Sequence, residues 1–105
     1  MRFLVTGHTG FKGAWLTVLL SERGHEVSGL SLEPASAGLF EVAHLESLLA
    51  ADYRADVRSA DEVAAIAREV EPDVVIHLAA QSLVRPSYVN PRETMETNVL
   101  GTLSI

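Results

Sequence analysis

The sequence contains no cysteine. Disulfides, thiol chemistry and cysteine-ligated zinc are excluded with it. Lysine is nearly absent as well: Lys12 is the only one, and no basic cluster forms elsewhere. The net charge of -6 gives a broadly acidic surface, which argues against phosphate-backbone contacts and so against a nucleic-acid partner. His8, His25, His44 and His77 are scattered without metal-ligand spacing, so no metal is expected. No apolar run approaches the roughly 20 residues of a membrane span. Thr6-Gly7 interrupts the first apolar run too early for a signal peptide. No membrane partner is expected, and the cytoplasm is the expected location. Internal repeats, linkers and low-complexity stretches are absent.

What is present is an ordinary globular balance: 48% hydrophobic and 21% charged residues over 105 positions. That fits one small domain or part of a larger one. Arg2–Thr6 reads as a short buried strand. From Phe11 the apolar positions fall at 11, 14, 15, 18 and 19, one face of a helix that Gly24 ends at its C′ position. Glu26–Ser31 reads as a second strand, Pro34–Gly38 as a loop, and "LFEVAHL" as a short helix. Asp52–Val57 reads as a third strand. Ser59 and Glu62 have capping-box spacing ahead of a helix with Val63, Ile66 and Val70 on one face, stopped by Pro72. "DVVIHLAA" is a continuous apolar run, as in a strand buried on both faces of a parallel sheet. Asn90, Pro91 and Glu93 then suit the N-cap, N1 and N3 positions of a last helix with Met95, Val99 and Leu103 on one side.

Strand and helix alternate four times, which implies an α/β fold, a Rossmann-like doubly wound parallel sheet with strand order 3-2-1-4. Four strands are little more than half of such a fold, and "NVLGTLSI" stops within a helical pattern. Residues 1–105 are therefore expected to be the N-terminal portion of a nucleotide-binding domain.

"VTGHTGFKGAW" sits between the first strand and the first helix. Gly7 would let the chain turn, Gly10 would leave room for a pyrophosphate, and Gly13 would let the helix approach the strand. Free N–H groups near Phe11 and Lys12 would hold the phosphates.

The spacing G-x-x-G-x-x-G after Thr6 resembles the extended short-chain dehydrogenase/reductases, the NAD-dependent epimerase/dehydratase family. "DVR" at 56–58, "HLAAQ" at 77–81 and "TNVLGT" at 97–102 are similar to that family's later motifs, in the same order. A narrower resemblance is to the CDP-glucose 4,6-dehydratases within it. Lys12, Trp15, "GLFEVAHL" and "LVRPSY" carry it. The resemblance implies an enzyme in which bound NAD takes hydride from C4 of a nucleotide sugar, water leaves across C5–C6, and the hydride returns to C6. The implied substrate is CDP-glucose, and the whole protein is implied to be a homo-oligomer.

Site residues follow from the same motifs. The turn would bring Gly7, Thr9, Gly10, Phe11, Lys12 and Gly13 to the cofactor. Asp56, with Val57, would face the adenine. Leu78, Ala79, Ala80 and Gln81 would pass beside the cofactor, and Asn98 would buttress the site. Ser82 and Arg85 are the candidates for substrate; Arg85 suits a substrate phosphate, or solvent. His8 sits in the turn, touching phosphate or in solvent, and Lys12 screens the pyrophosphate or lies on the surface. His77 reads as a hydrogen-bonded core histidine rather than a base. Ser31 occupies the strand-end position where an aspartate usually bonds the ribose, and Glu33 is the nearest acid. No arginine or lysine adjoins them in sequence, although Lys12 could reach a 2′-phosphate, so NAD is expected over NADP.

The family's chemistry rests on a Tyr-x-x-x-Lys pair with a Ser or Thr, in which the tyrosine takes a substrate proton. Tyr53 is followed four residues later by Val57, and Tyr88 by Arg92. No catalytic residue is expected here, and the pair is expected beyond Ile105 along with most of the sugar pocket. A nucleotide-sugar epimerase or reductase, or a non-catalytic NAD(P)-binding module, would share this first half.

Overall fold

Phe3, Val5 and Val27 face one side of a parallel sheet, and Leu4 and Leu30 face the other. A computed structural model describes residues 1–34 and 37–105; Ala35 and Ser36, in the loop expected at Pro34–Gly38, lie outside the described residues. The central strand β1 (Arg2–Thr6) pairs in parallel with β2 (Glu26–Ser31) and β4 (Val74–His77), and β2 pairs with β3 (Ala51–Arg54). The order is β3-β2-β1-β4, a Rossmann-like arrangement, as the alternation predicts. Both faces of β1 and β2 are covered, so every residue after the first is buried in each strand, the small polar Ser28 and Ser31 of β2 included.

Helix α1 (Phe11–Glu22) covers the Phe3/Val5/Val27 face with Leu20. Helix α3 (Ala60–Val70) covers the other with Val63, Ile66 and Val70, the stripe read from the sequence. Between β2 and β3, the short helix α2 (Leu39–Val42) and a 3₁₀ turn (Leu45–Leu48) seat Phe40 and Leu45 against Ala14. Beyond β4 come α4 (Val84–Val89), α5 (Pro91–Met95), a π-turn (Glu96–Leu100) and α6 (Gly101–Ser104). The backbone stays helical from Met95 through Gly101, so the last three wind as one rod.

Several details differ from the sequence expectation. Helix α1 buries Gly13, Ala14, Thr17 and Leu20, whereas Phe11, Trp15 and Leu19 face outward. Its rotation is set by Gly13 lying against the Gly7 carbonyl, not by its apolar pattern. Strand β3 stops at Arg54, three residues short of Val57, so Asp56 lies in a loop. Ser59 is the N-cap of α3 but makes no side-chain cap bond; its N–H, the group a capping-box glutamate would take, already donates to the Asp56 carbonyl at 3.0 Å. Strand β4 is shorter than "DVVIHLAA" and has one neighbour, which leaves Val75 41% exposed. Helix α4 has no counterpart in the sequence expectation. Its Pro86 sits in the first turn, where a missing N–H costs no helical bond. Gly24 (φ +81) and Asn90, whose Oδ1 accepts from the Glu93 N–H, do occupy the expected cap positions.

Candidate cofactor cleft

The carboxyl ends of the parallel strands open onto a cleft of about 720 Å³. This is where open α/β sheets hold ligands, on either side of the point at which the strand order reverses. Gly7 begins one wall. Its N–H donates to the Leu30 carbonyl at 2.8 Å, its φ is +74, and a Cβ there would lie 2.8 Å from the Ala79 nitrogen. Gly7 therefore serves both the turn and the approach of β4. Gly13 is closed on the protein side by the Gly7 carbonyl and the His8 Cα. Gly10 is different. A Cβ there would meet only the Gly7 oxygen, at 3.3 Å, and its φ of -73 suits any residue.

Helix α1 starts on the cleft without a side-chain cap and without an acid in its first turn. Ala14 is the residue whose N–H begins the bonds back, to Gly10 O at 2.8 Å. The amides of Phe11, Lys12 and Gly13 precede that ladder, and the partial positive charge of the helix end lies beside Lys12. Thr9 and Ser31 tie the turn to the end of β2 through their hydroxyls at 2.7 Å. Ser31 donates onward to Leu32 O, so Thr9 is the donor of that pair.

On the far side of β2, Asp56 and Val57 line the same cleft. Arg58 holds the Asp56 carboxylate through Nε at 2.9 Å and Nη2 at 2.6 Å, with its own N–H on the second oxygen at 2.9 Å. The guanidinium keeps the Asp56 pKa below the usual carboxylate range, so it is ionised at neutral pH. Leu78, Ala79, Ala80 and Ser82 complete the opposite wall. Leu32, Pro34, Ala55, His77 and Thr97 also line it, although the sequence does not mark them as site residues.

Three expected residues lie elsewhere. Gln81 borders a smaller hollow of about 330 Å³ beside Pro86 and Thr94, and its side chain is bonded to Leu83 and Thr94. Asn98 stands behind the wall. Its Oδ1 accepts from the Gln81 N–H at 2.7 Å, and its Nδ2 donates to the Gln81 carbonyl at 2.9 Å. Arg85 is exposed on α4 and lines neither hollow.

His8 departs from both expectations for it. The side chain is fully buried, beneath Gly29, whose missing Cβ makes room for the ring, and edge-on to Phe40. Its Nε2 lies 2.8 Å from Asp52 Oδ1. Burial pulls its pKa below the ordinary 6.5, against the opposing pull of Asp52. Asp52 also accepts from Arg54 at 2.9 Å, and Arg54 reaches Glu33 at 3.9 Å. An arginine thus does adjoin the end of β2. Sequence distance conceals it because the parallel register sets Ser31 opposite Arg54.

The lowered pKa of His8 has a consequence for stability. Between the ordinary histidine value near 6.5 and the lower native one, the unfolded chain binds a proton that the native ring refuses. Stability is then complete above that window and falls as pH drops through it. His77, also held below 6.5 by burial, adds to the same slope. Urea midpoints at about pH 7.5 and about pH 5 are expected to differ in that direction, and His8→Asn to flatten the difference. A midpoint that rises on acidification would show that His8 is held as the imidazolium.

Residues 4–105 match the family model described as GDP-mannose 4,6 dehydratase. The chain belongs to this family. Within the GDP-mannose 4,6-dehydratase family and its surroundings, it is 44% identical over 105 residues to the CDP-glucose 4,6-dehydratase of Salmonella typhimurium, covering 99% of this chain and 29% of that protein. It is 38% identical to the UDP-glucose 4-epimerase of Mycolicibacterium smegmatis, covering 100% of this chain and 33% of that one. Among solved structures, the Thermus thermophilus UDP-glucose 4-epimerase in complex with NAD superposes with a TM-score of 0.83 at 36% identity, over 99% of this chain and 32% of that one. The chain thus spans a third or less of the length of these relatives.

Proposed function

We propose that this chain is the NAD-binding, N-terminal portion of a nucleotide-sugar 4,6-dehydratase whose substrate is CDP-glucose. The observation that carries the cofactor reading is the uncapped start of α1 opening on the cleft beside Gly10, which lines it and where an added Cβ would meet only the Gly7 carbonyl oxygen, at 3.3 Å. Backbone N–H groups at such a helix start bind pyrophosphate. The Phe11, Lys12 and Gly13 amides would hold it, with the Lys12 ammonium screening its charge. Ser31 and Glu33 would face the adenosine ribose. Asp56, kept ionised by Arg58, would accept from the adenine amino group beside Val57. Leu78, Ala79 and Ala80 have short or flexible side chains that allow close passage of the rest of the cofactor.

When bound, NAD supplies the acceptor for the hydride leaving C4 of the sugar and the donor that returns it to C6. The residues of this chain would bind and orient; the tyrosine and lysine that move the C4 hydroxyl proton would lie downstream in the whole protein. Ser82, on the cleft wall, is the residue here that would reach toward substrate. The 44% identity to a CDP-glucose 4,6-dehydratase supports CDP-glucose. A second reading, UDP-glucose 4-epimerase, is favoured by the 38% identity to the Mycolicibacterium protein.

Two measurements on the full-length protein test this. Gly10→Val is expected to fold normally and to bind NAD at least about tenfold more weakly, or about 1.4 kcal/mol, by calorimetry. Unchanged affinity in a folded variant would remove the phosphate cradle. With CDP-glucose, the expected product is a 4-keto-6-deoxy sugar nucleotide. Interconversion of UDP-glucose and UDP-galactose without dehydration would move the assignment to the epimerase.

A further inference from the structure

His77 ends β4 in the wall of the cleft, yet both of its ring nitrogens are engaged by other elements. Nδ1 lies 2.6 Å from Thr6 Oγ1, and Nε2 lies 3.0 Å from Thr102 Oγ1. Counting hydrogens fixes the ring proton. Thr6 Oγ1 accepts the N–H groups of Leu78 and Ala79, each at 3.1 Å, the first shared with the Thr6 carbonyl. A hydroxyl oxygen has two lone pairs and one proton. With both lone pairs taken, Thr6 must donate, and Nδ1 is the acceptor. At the other nitrogen, Thr102 gives its proton to the Asn98 carbonyl at 2.6 Å, so it accepts from Nε2. The two counts are independent and agree.

We propose that His77 is a positioning residue of the cofactor cleft, a neutral ring protonated on Nε2 that locks the Thr6 hydroxyl, and through it the Leu78–Ala79 backbone, to the last helical rod. The relay closes on itself. It runs from the Leu78 and Ala79 amides through Thr6, His77 and Thr102 to Asn98, whose carboxamide grips both backbone groups of Gln81. Residues 78–81 are thereby held at both ends by one chain of hydrogen bonds. That segment forms the wall along which the cofactor would lie.

A second ring proton has no place in this arrangement. On Nδ1 it would face an oxygen that already receives two N–H groups and carries its own hydrogen. Burial acts in the same direction, holding the His77 pKa below the ordinary 6.5. The groups that meet the ring are the hydroxyls of Thr6 from β1 and Thr102 from α6, and no charged side chain among the described residues contributes to that shift. The relay is intact at neutral pH and breaks as pH falls through the lowered pKa.

The cleft's role rests on the NAD reading above, so two of the three tests need no cofactor. In the full-length protein with ¹⁵N-labelled histidines, the signal lost in His77→Asn should show the Nε2–H tautomer at neutral pH. An Nδ1–H tautomer overturns the proposal. Amide exchange at Leu78 and Ala79 should be about tenfold faster in His77→Phe and return to within about twofold of wild type in His77→Asn, whose carbonyl oxygen can accept the Thr6 proton. Equal exchange in all three overturns it. If His77→Phe does not fold, Thr102→Val, which cuts the other arm at an exposed residue, should also raise exchange. Third, NAD affinity should fall on acidification in the wild type, be about tenfold weaker in His77→Phe at neutral pH, and lose its pH dependence in His77→Asn over the same window. An identical pH profile in wild type and His77→Asn overturns the positioning role, since His8 is present in both. No NAD binding by the wild type would overturn the cofactor reading, and the first two tests would still decide the relay.

Discussion

Gly13→Ala is expected to destabilise the protein by about 3 kcal/mol, a large share of the roughly 5–15 kcal/mol available to a domain. The sign makes this informative. In an exposed helix, glycine to alanine stabilises by about 1 kcal/mol. Here the new methyl would overlap the Gly7 carbonyl oxygen and press on the His8 Cα, both backbone atoms that no rotamer change can move. Relief requires α1 to back away from the turn. That would pull Ala14 from Phe40 and Leu45, and Leu20 from Phe3 and Val27. Thermal unfolding of the full-length protein checks it. A Gly13→Ala variant as stable as the wild type would show that the helix does not rest on the turn. Gly10→Val is the milder comparison, because its added Cβ would meet a single atom, the Gly7 oxygen, at 3.3 Å, and its backbone is unstrained.

Residues 1–105 expressed alone are expected to associate, and to turn over no CDP-glucose. Strand β4 lies at a sheet edge with Val75 41% exposed, and its outer N–H and C=O groups have no strand partner among the described residues. Such an edge templates pairing with another chain. Val84, Tyr88 and Leu103, each more than two-thirds exposed, add apolar surface on the elements that follow it. Light scattering behind size-exclusion chromatography should give a mass above that of one chain, rising with concentration. A clean monomer that dehydrates CDP-glucose would refute the edge argument and the placement of the tyrosine and lysine downstream together.

Much of the sheet is legible because β1 and β4 are short apolar runs and a glycine or proline stands close to β1, β2 and β4. "RFLVT" and "EVSGLS" coincide with β1 and β2 residue for residue. The rotation of α1 was not, since Leu16, Val18, Leu19 and Leu20 make it apolar nearly all round and the inward face is chosen by Gly13. Helix α4 was hidden by Pro86, which reads as a breaker unless its place in the first turn is known. The turn, Asp56 and the β4 end come together on one cleft because consecutive crossovers bring strand ends together. Arg54 beside Glu33 depended on strand register, and His8 beneath Gly29 on the absence of one methyl group. Neither leaves a local pattern. Thr6, Thr102 and His77 are 96 residues apart from first to last, and only their hydroxyl and ring contacts reveal that they act as a set.

The π-turn at Glu96–Leu100 carries one residue more than regular winding requires. A single-codon deletion there, of Val99 for instance, would restore even α-helical rungs and rotate everything beyond by about 100°. Thr102 would swing off His77. Gly101, where a Cβ would stand 2.7 Å from Val57 Cγ2, would be replaced at that contact by a residue with a side chain. The more regular helix would be the worse component. The surplus residue works as a heritable phase setting, and a lineage that lost it would need a new support for the wall of the cleft.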